Sequence, residues 1–241
     1  QDFDAVRRLL FVVREDGKFA SVTIYRAEQV TAWTLHETQG LVKSVCVVGD
    51  EVYLLIERNG QYFIELFSNE LNLDSALTGE VSIPASEWSG LDHLEGMAVS
   101  IVADGVVLDS QIVTDGQITL ASPATKVEIG LSYTHVVQPL PPPTFGDGVM
   151  IRKLRLVEAV FRVKDTKALR LDLGRGLRDV SLRQLGEEDI LDAPPPSVSG
   201  DIRIRGLGWQ KQYADPLWRI EQSAPLPFTL LSVITEIKVN D

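Results

Sequence analysis

Three histidines, one cysteine and 34 Asp/Glu are the residues from which this 241-residue chain would have to build acid–base, nucleophilic or metal chemistry. The histidines, His36, His93 and His135, are scattered. None falls in an H-E-x-x-H or H-x-H spacing, and no cysteine stands beside one to complete a transition-metal set. His93 and Glu95 lie two apart, so they share a face if their segment is extended, and such a pair suits proton transfer. The plainer reading is a turn histidine satisfied by backbone groups. Glu187, Glu188, Asp189 and Asp192 gather carboxylates of the kind that hold calcium, but without the D-x-[DN]-x-[DN]-G spacing of a dedicated loop, and read as a solvated acidic turn. No G-x-S-x-G elbow occurs, and Gly174-Arg175-Gly176 lacks the lysine–serine continuation of a phosphate loop. A glycosidase pair is defined by separation in space, and nothing in the spacing singles out two acids. Cys46, inside the apolar run Val45–Val48, reads as a small buried hydrophobe; being the only cysteine, it excludes an intrachain disulfide and a Cys-rich zinc site. No catalytic, cofactor-binding or metal-binding residue is assigned, and the chain is read as non-enzymatic.

The elements that would carry any function have the composition of a globular protein, 44% apolar and 24% charged. No apolar run approaches the roughly 18 residues of a membrane helix, so no membrane span is expected. The formal net charge is −11, unevenly spread: residues 1–150 carry −13, residues 151–183 carry +6 and residues 184–241 carry −4. An acidic chain is a poor wrapper of nucleic acid, because phosphate binding needs many Lys/Arg on one face. The basic stretch Ile151–Arg183 is the one candidate footprint. With Phe161 as its only aromatic residue it reads as a solvated strand face or a contact to an acidic neighbour, more than as a nucleic-acid surface.

Turn pairs punctuate the chain. Asp16-Gly17, Asn59-Gly60, Asp104-Gly105 and Asp115-Gly116 each sit between β-branched or aromatic runs, and such pairs supply the positive φ angles of tight hairpins. Helical periodicity is confined to short stretches at Ser86–Gly90 and Gly186–Leu191. The pattern predicts an all-β fold of several sheet modules joined by hairpins. Residues 1–82 read as a propeller-blade-like sheet module, with Asn69–Pro84 as a polar connector at its end. Residues 83–138 read as a small β-barrel of short strands, 139–147 as a stiff proline-rich linker, and 148–241 as a carboxyl-terminal β module, the modules flanking the barrel being propeller-like or sandwich-like. Strands are expected at Trp33–Thr38, Ser44–Val48, Leu154–Val163, Ala168–Leu173, Trp218–Gln222 and Phe228–Val239.

Several segments in collinear order resemble one family. They run from Phe11-Val12-Val13-Arg14-Glu15-Asp16-Gly17-Lys18 and Thr23-Ile24-Tyr25 through Trp33-Thr34-Leu35-His36, Asp50-Glu51-Val52-Tyr53 and the Asn59-Gly60 hairpin. Leu91-Asp92-His93-Leu94-Glu95-Gly96, Gly116-Gln117-Ile118-Thr119-Leu120, Pro123-Ala124-Thr125-Lys126-Val127 and Gly130-Leu131-Ser132-Tyr133 continue the series. Gly200-Asp201 and Glu221-Gln222-Ser223-Ala224-Pro225-Leu226-Pro227-Phe228 close it. Together, over roughly Leu10 to Val239, they resemble the carboxyl-terminal part of the tail nozzle proteins of short-tailed bacteriophages, also called packaged-DNA stabilisation or tail tubular proteins. The resemblance implies a virion component without catalysis or cofactor. Copies of it, six in the expected ring, would sit below portal and adaptor proteins, meet tail plug or fibre proteins, and surround a channel through which DNA passes without specific binding. It also implies a location in the virion tail, phage- or prophage-encoded, a chain soluble when expressed alone, and a part of a longer protein. On this reading Arg152, Arg155, Arg162 and Arg170 of the basic stretch serve as an assembly interface.

Two rival readings stay open at this point. One is a carbohydrate- or partner-binding β module of a tail-associated adhesin, with Trp33, Trp88, Trp209 and Trp218 available to stack on sugars. The other is a β-fold hydrolase, which needs a cleft with convergent carboxylates of raised pKa. Because the chain is acidic, duplex DNA should give no gel shift at physiological salt; a complex tighter than roughly micromolar would overturn that expectation.

Overall fold

The computed structural model describes residues 1–25, 30–141, 154–182, 194–209 and 216–239, the side chains of 206–209 and 239 excepted. The fold is all-β. Among the described residues, strands in antiparallel sheets account for nearly every element, beside a short 3-10 turn at Asp92–Leu94. Two compact units divide the chain, Gln1–Ala76 and Leu77–Asp241.

The first unit is a sandwich of two sheets. Strands β1 (Asp2–Asp4), β2 (Leu9–Val13), β3 (Phe19–Tyr25) and β4 (Val30–His36) form a meander in sequence order. Strands β5 (Leu41–Val48), β6 (Glu51–Arg58) and β7 (Gln61–Leu66) form a second meander. Between β6 and β7 the turn is the two-residue type the sequence predicts, with Asn59 at φ 52° and Gly60 at φ 76°. Phe11 and Phe19 from the first sheet and Val42, Val45, Val52, Leu54 and Ile56 from the second build one buried core. Strict alternation would send Val42 and Val45 to opposite faces. A bulge at Lys43 restores register, and both point inward. Hydrogen bonds tie the sheets together: Val47 N–H donates to Asp2 Oδ2 (2.8 Å) and Val42 N–H to the Gly17 carbonyl (2.7 Å).

A buried arginine closes one end of this unit. Arg58 is 3% exposed, and its guanidinium donates to the Gln39 carbonyl (2.8 Å), Glu65 Oε1 (2.7 Å), Ser75 Oγ (3.0 Å) and Thr38 Oγ1 (3.1 Å). The Thr38 hydroxyl in turn donates to Asp74 Oδ2 at 2.6 Å. Burial pushes the Asp74 carboxyl above the ordinary aspartate range, with the Thr38 hydrogen bond opposing the shift.

In the second unit, β8 (Asp74–Ser89, its first three residues belonging to the first unit), β9 (Ala98–Ala103), β10 (Val106–Ile112) and β11 (Gln117–Leu131) make a sheet in the order β10-β9-β11-β8. Asp104-Gly105 and Asp115-Gly116 again take positive φ at both positions. The core here includes Trp88, Leu91, Leu94, Val99, Ile101, Ile129 and Leu131. A closed barrel was expected over 83–138, and the described residues do not form one. The ladder is open, with β10 and β8 as its edges, because two long coiled strands take the place of several short ones. The expected polar connector Asn69–Pro84 and the helical turn at Ser86–Gly90 are likewise mostly the single strand β8. Pro84 is tolerated there because β8 is an edge, and Gly79 is required because a Cβ would lie 2.5 Å from the Trp88 ring that coils over it.

The rest of the second unit is another sandwich. Its strands are β12 (His135–Val137), β13 (Leu154–Thr166), β14 (Arg170–Asp172), β15 (Arg178–Asp179), β16 (Val198–Trp209), β17 (Arg219–Gln222) and β18 (Thr229–Val239). They form two sheets, β12-β17-β14-β15 and β16-β13-β18. Leu156, Ala159, Phe161 and Val163 of the central strand β13 share a core with Leu171 and Ile220 of the facing sheet and with Trp218 just before β17, the Phe161 and Trp218 rings edge-on at 5.5 Å. Of the expected 139–147 linker only residues up to 141 are described, and the short helix considered at 186–191 lies outside the described residues.

Removing the Arg58 side chain while keeping its bulk would leave the half-buried Glu65, Thr38 and Ser75 without their cation. Arg58→Met should therefore destabilise the first unit by about 3–5 kcal/mol in urea unfolding, far more than loss of the exposed Arg14–Asp16 pair.

Candidate functional site

Strand register shows what each sheet turns outward. In the β1–β4 sheet, Leu9, Phe11, Val13, Phe19 and His36 face the core, so their neighbours in sequence face away. That outer face reads in cross-strand rows Phe3–Leu10–Val22–Trp33 and Val12–Ala20–Leu35. No charged residue stands in either row; Trp33 at the edge is 64% exposed, whereas Val22 and Ala20 at the centre are buried. In the β5–β7 sheet the outer rows are Leu41–Glu57–Tyr62, Ser44–Leu55–Ile64 and Cys46–Tyr53–Leu66. Ile64 is 77% exposed and Tyr62 64%. The charges at the margins are already matched: Lys43 Nζ sits 2.6 Å from Glu57 Oε2, and the Tyr53 hydroxyl donates to Glu51 Oε2 at 2.5 Å. The β5–β7 sheet therefore exposes apolar side chains beside a few matched charges, and the β1–β4 sheet exposes them at its edges.

The β16-β13-β18 sheet turns a different face outward. With Ala159, Phe161 and Val163 inward, Arg155, Glu158, Val160 and Arg162 of β13 point out, beside Asp201, Arg203 and Arg205 of β16 and Ile234, Glu236 and Lys238 of β18. Arg162 makes a two-pronged pair with Asp201 (Nε–Oδ1 2.7 Å, Nη2–Oδ2 2.8 Å), which holds the Asp201 carboxyl below its usual range. The Glu158 carboxylate is bracketed by Arg203 Nη1 at 3.4 Å and Arg205 Nε at 3.6 Å. Five cations and three carboxylates thus share one exposed face.

Of the four arginines expected at an assembly interface, Arg155 and Arg162 are on this face. Arg170 is on the outer side of the opposing sheet, 3.8 Å from Asp179, and Arg152 lies outside the described residues. The structure does not gather them into one cluster. Arg203 and Arg205 were missed, although the alternation Ile202-Arg203-Ile204-Arg205 carried the signal: isoleucines to the core, arginines to water.

The chemistry-bearing residues are placed as follows. His36 is stacked on Phe19 at 4.5 Å, within 2.8 Å of Ser21 Oγ, and burial holds its pKa below 6.5. His135 stands against Tyr133 and is shifted the same way by burial. Glu95 accepts from the backbone N–H groups of Asp115 (3.2 Å) and Gly116 (2.8 Å), so its carboxylate fastens a turn. Cys46, expected to be buried, is exposed on the outer face of β5, because the Lys43 bulge shifts the parity of the strand. Trp88 and Trp218 are core residues, while Trp33 projects into solvent. The Glu187–Asp192 acids lie outside the described residues. Among the described residues no group of three or more His, Cys, Asp or Glu is arranged to hold a metal, and no helix is long and apolar enough to cross a membrane.

No protein-family model matches the chain, and no curated protein sequence matches it.

The half-buried histidines His36 and His135 have a consequence for pH. Their folded pKa values lie below the unfolded value, so the unfolded chain takes up protons first as pH drops below 6.5. Their contribution to stability is complete above that pH and is lost as pH falls through the depressed values. Thermal unfolding should therefore show a melting temperature that falls on going below pH 6.5. His36→Phe, which keeps a ring on Phe19, should flatten part of that fall.

Proposed function

We propose that this chain is a non-catalytic structural subunit of a short-tailed phage tail nozzle, forming with copies of itself a ring around the DNA exit channel and helping to retain packaged DNA. The observation that carries the reading is where the large exposed apolar side chains stand. Edge strands of four different sheets bear them: Trp33 and Leu35 on β4, Tyr62 and Ile64 on β7, Ile83 on β8, and Leu231 and Ile234 on β18. An exposed edge with apolar side chains is a template for pairing or packing with another chain, and a monomer that works alone blunts such edges with charge. The segments that resemble the nozzle family fall largely on hairpin turns and strands, including the tight turns at Asn59-Gly60 and Asp104-Gly105. These are the parts that set sheet geometry, as a scaffold subunit requires. The net charge of −11 suits a channel subunit as well, since a wall that neutralised phosphates strongly would hinder sliding of DNA.

The buried state of Trp88 and Trp218 weighs against the sugar-binding adhesin, which would need several exposed aromatic platforms.

The direct test is location. Purified short-tailed particles from the source lysate should contain the chain by mass spectrometry, and gold-labelled antibody raised against it should decorate the tail end. Its absence from particles, or labelling confined to the capsid, would overturn the assignment.

A further inference from the structure

We infer that the turn joining β6 to β7 is a site of spontaneous covalent modification, at which Asn59 converts to isoaspartate and loosens the buried arginine beside it. The reaction needs an amide that can leave as ammonia, a main-chain nitrogen able to attack it, and room to close a ring. Asn59 and Gly60 are both exposed at the hairpin tip, and the Asn59 amide has no hydrogen-bond partner among the described residues. Gly60 has no Cβ to shield its nitrogen, and nothing stands within 4 Å of where one would be. The other candidate pairs are poorer. Asp-Gly turns carry carboxylates, which have no leaving group while ionised at neutral pH. The Gly17 N–H donates to the Arg14 carbonyl (3.2 Å), the Gly116 N–H donates to Glu95 (2.8 Å), and Asp104 is fixed by the Thr125 hydroxyl (2.7 Å) and the Lys126 N–H (2.9 Å). Asn69 precedes Glu70, whose N–H donates to Ser68 Oγ (3.1 Å), and Asn72 precedes the buried Leu73.

The Gly60 nitrogen attacks Asn59 Cγ and gives up its proton, the side-chain nitrogen leaves as ammonia, and a cyclic imide forms. Water then opens the imide. Cleavage of its bond to the side-chain carbonyl gives aspartate, and cleavage of its bond to the main-chain carbonyl gives isoaspartate. The paired turn restrains ring closure, so the reaction proceeds as the tip opens, which costs little compared with global unfolding. In isoaspartate the main chain runs through Cβ and Cγ and is one atom longer. The rung Arg58–Gln61 closes this turn, and Arg58 is fixed from its other side by Gln39, Glu65, Ser75 and Thr38. A two-residue turn has no slack for the extra atom, so the rung or the guanidinium bonds give way.

Incubation of the full chain for days in mildly alkaline buffer tests this, read by peptide mapping and by methylation of isoaspartate with an isoaspartyl methyltransferase and labelled S-adenosylmethionine. Conversion at Asn59 should run about tenfold or more ahead of Asn69 and Asn72, a barrier difference of about 1.4 kcal/mol. Asn59→Asp carries the charge of the product without its longer main chain, and aspartate tolerates the left-handed backbone of the turn. This variant should lose most of the methyl incorporation and melt like the fresh wild type, before and after ageing. Aged wild type should melt several degrees lower than fresh. Isoaspartate spread evenly over the three asparagines, or methylation undiminished in Asn59→Asp, overturns the site. Converted wild type that melts like the fresh chain overturns its effect on the Arg58 cluster.

Discussion

An antiparallel strand sends alternate side chains to opposite faces, and everything distinctive about this chain follows from how few of its faces are polar. A sheet in a two-layer sandwich needs one apolar face to make a core. In the first unit the sequence supplies two per sheet. β6 reads Val52, Leu54 and Ile56 inward and Tyr53 and Leu55 outward, and β7 adds Tyr62, Ile64 and Leu66 to the outward set. Strands apolar on both sides are expected where sheets are covered on both sides. The internal core satisfies one requirement and leaves the other standing.

The Arg58 cluster belongs to the same logic. With apolar residues on both faces, register is weakly protected, because a one-residue slip exchanges one greasy surface for another. A buried guanidinium that finds the Gln39 carbonyl, Glu65, Ser75 and Thr38 in only one register removes that ambiguity. The Lys43 bulge acts in the same direction, fixing which of Val42, Ser44 and Val45 turns inward. Polar residues here specify an arrangement more than they stabilise it, which is the better-attested use of buried ion pairs.

Much of the fold was legible in the sequence, and the reasons are local. Asn59-Gly60, Asp104-Gly105 and Asp115-Gly116 announce hairpins because their backbone angles are a property of the pair itself. Strands such as β13 and β18 are marked by runs rich in β-branched residues. What failed was non-local. Asn69–Pro84 looks like a connector because Ser, Glu, Gly and Pro interrupt it, yet β8 runs through as an edge, where a missing donor and outward polar side chains cost little. A closed barrel and an open coiled sheet share the same alternation and differ only in whether the first and last strands meet. The exposure of Cys46 turns on one bulge that no periodicity announces. For the candidate surfaces, the basic stretch pointed to Arg155 and Arg162, but Arg203 and Arg205 come from a strand distant in sequence, and only the register of β13 with β16 puts them beside Glu158.

The two sandwiches therefore treat their outsides in opposite ways. In the second, the exposed face of β16-β13-β18 is laced with pairs that satisfy one another, Arg162 with Asp201 and Glu158 with Arg203 and Arg205. Such pairs are stable in water and screened by salt. In the first, the outer rows hold tryptophan, phenylalanine, isoleucine and leucine with scarcely a charge among them. Desolvating the arginine face would cost each ion its hydration, whereas desolvating the apolar rows is favourable at about 25 cal/mol per Å². If one surface of this chain is to be held permanently against another protein, the physics selects the first unit, and the basic stretch that stands out in the sequence is the weaker candidate.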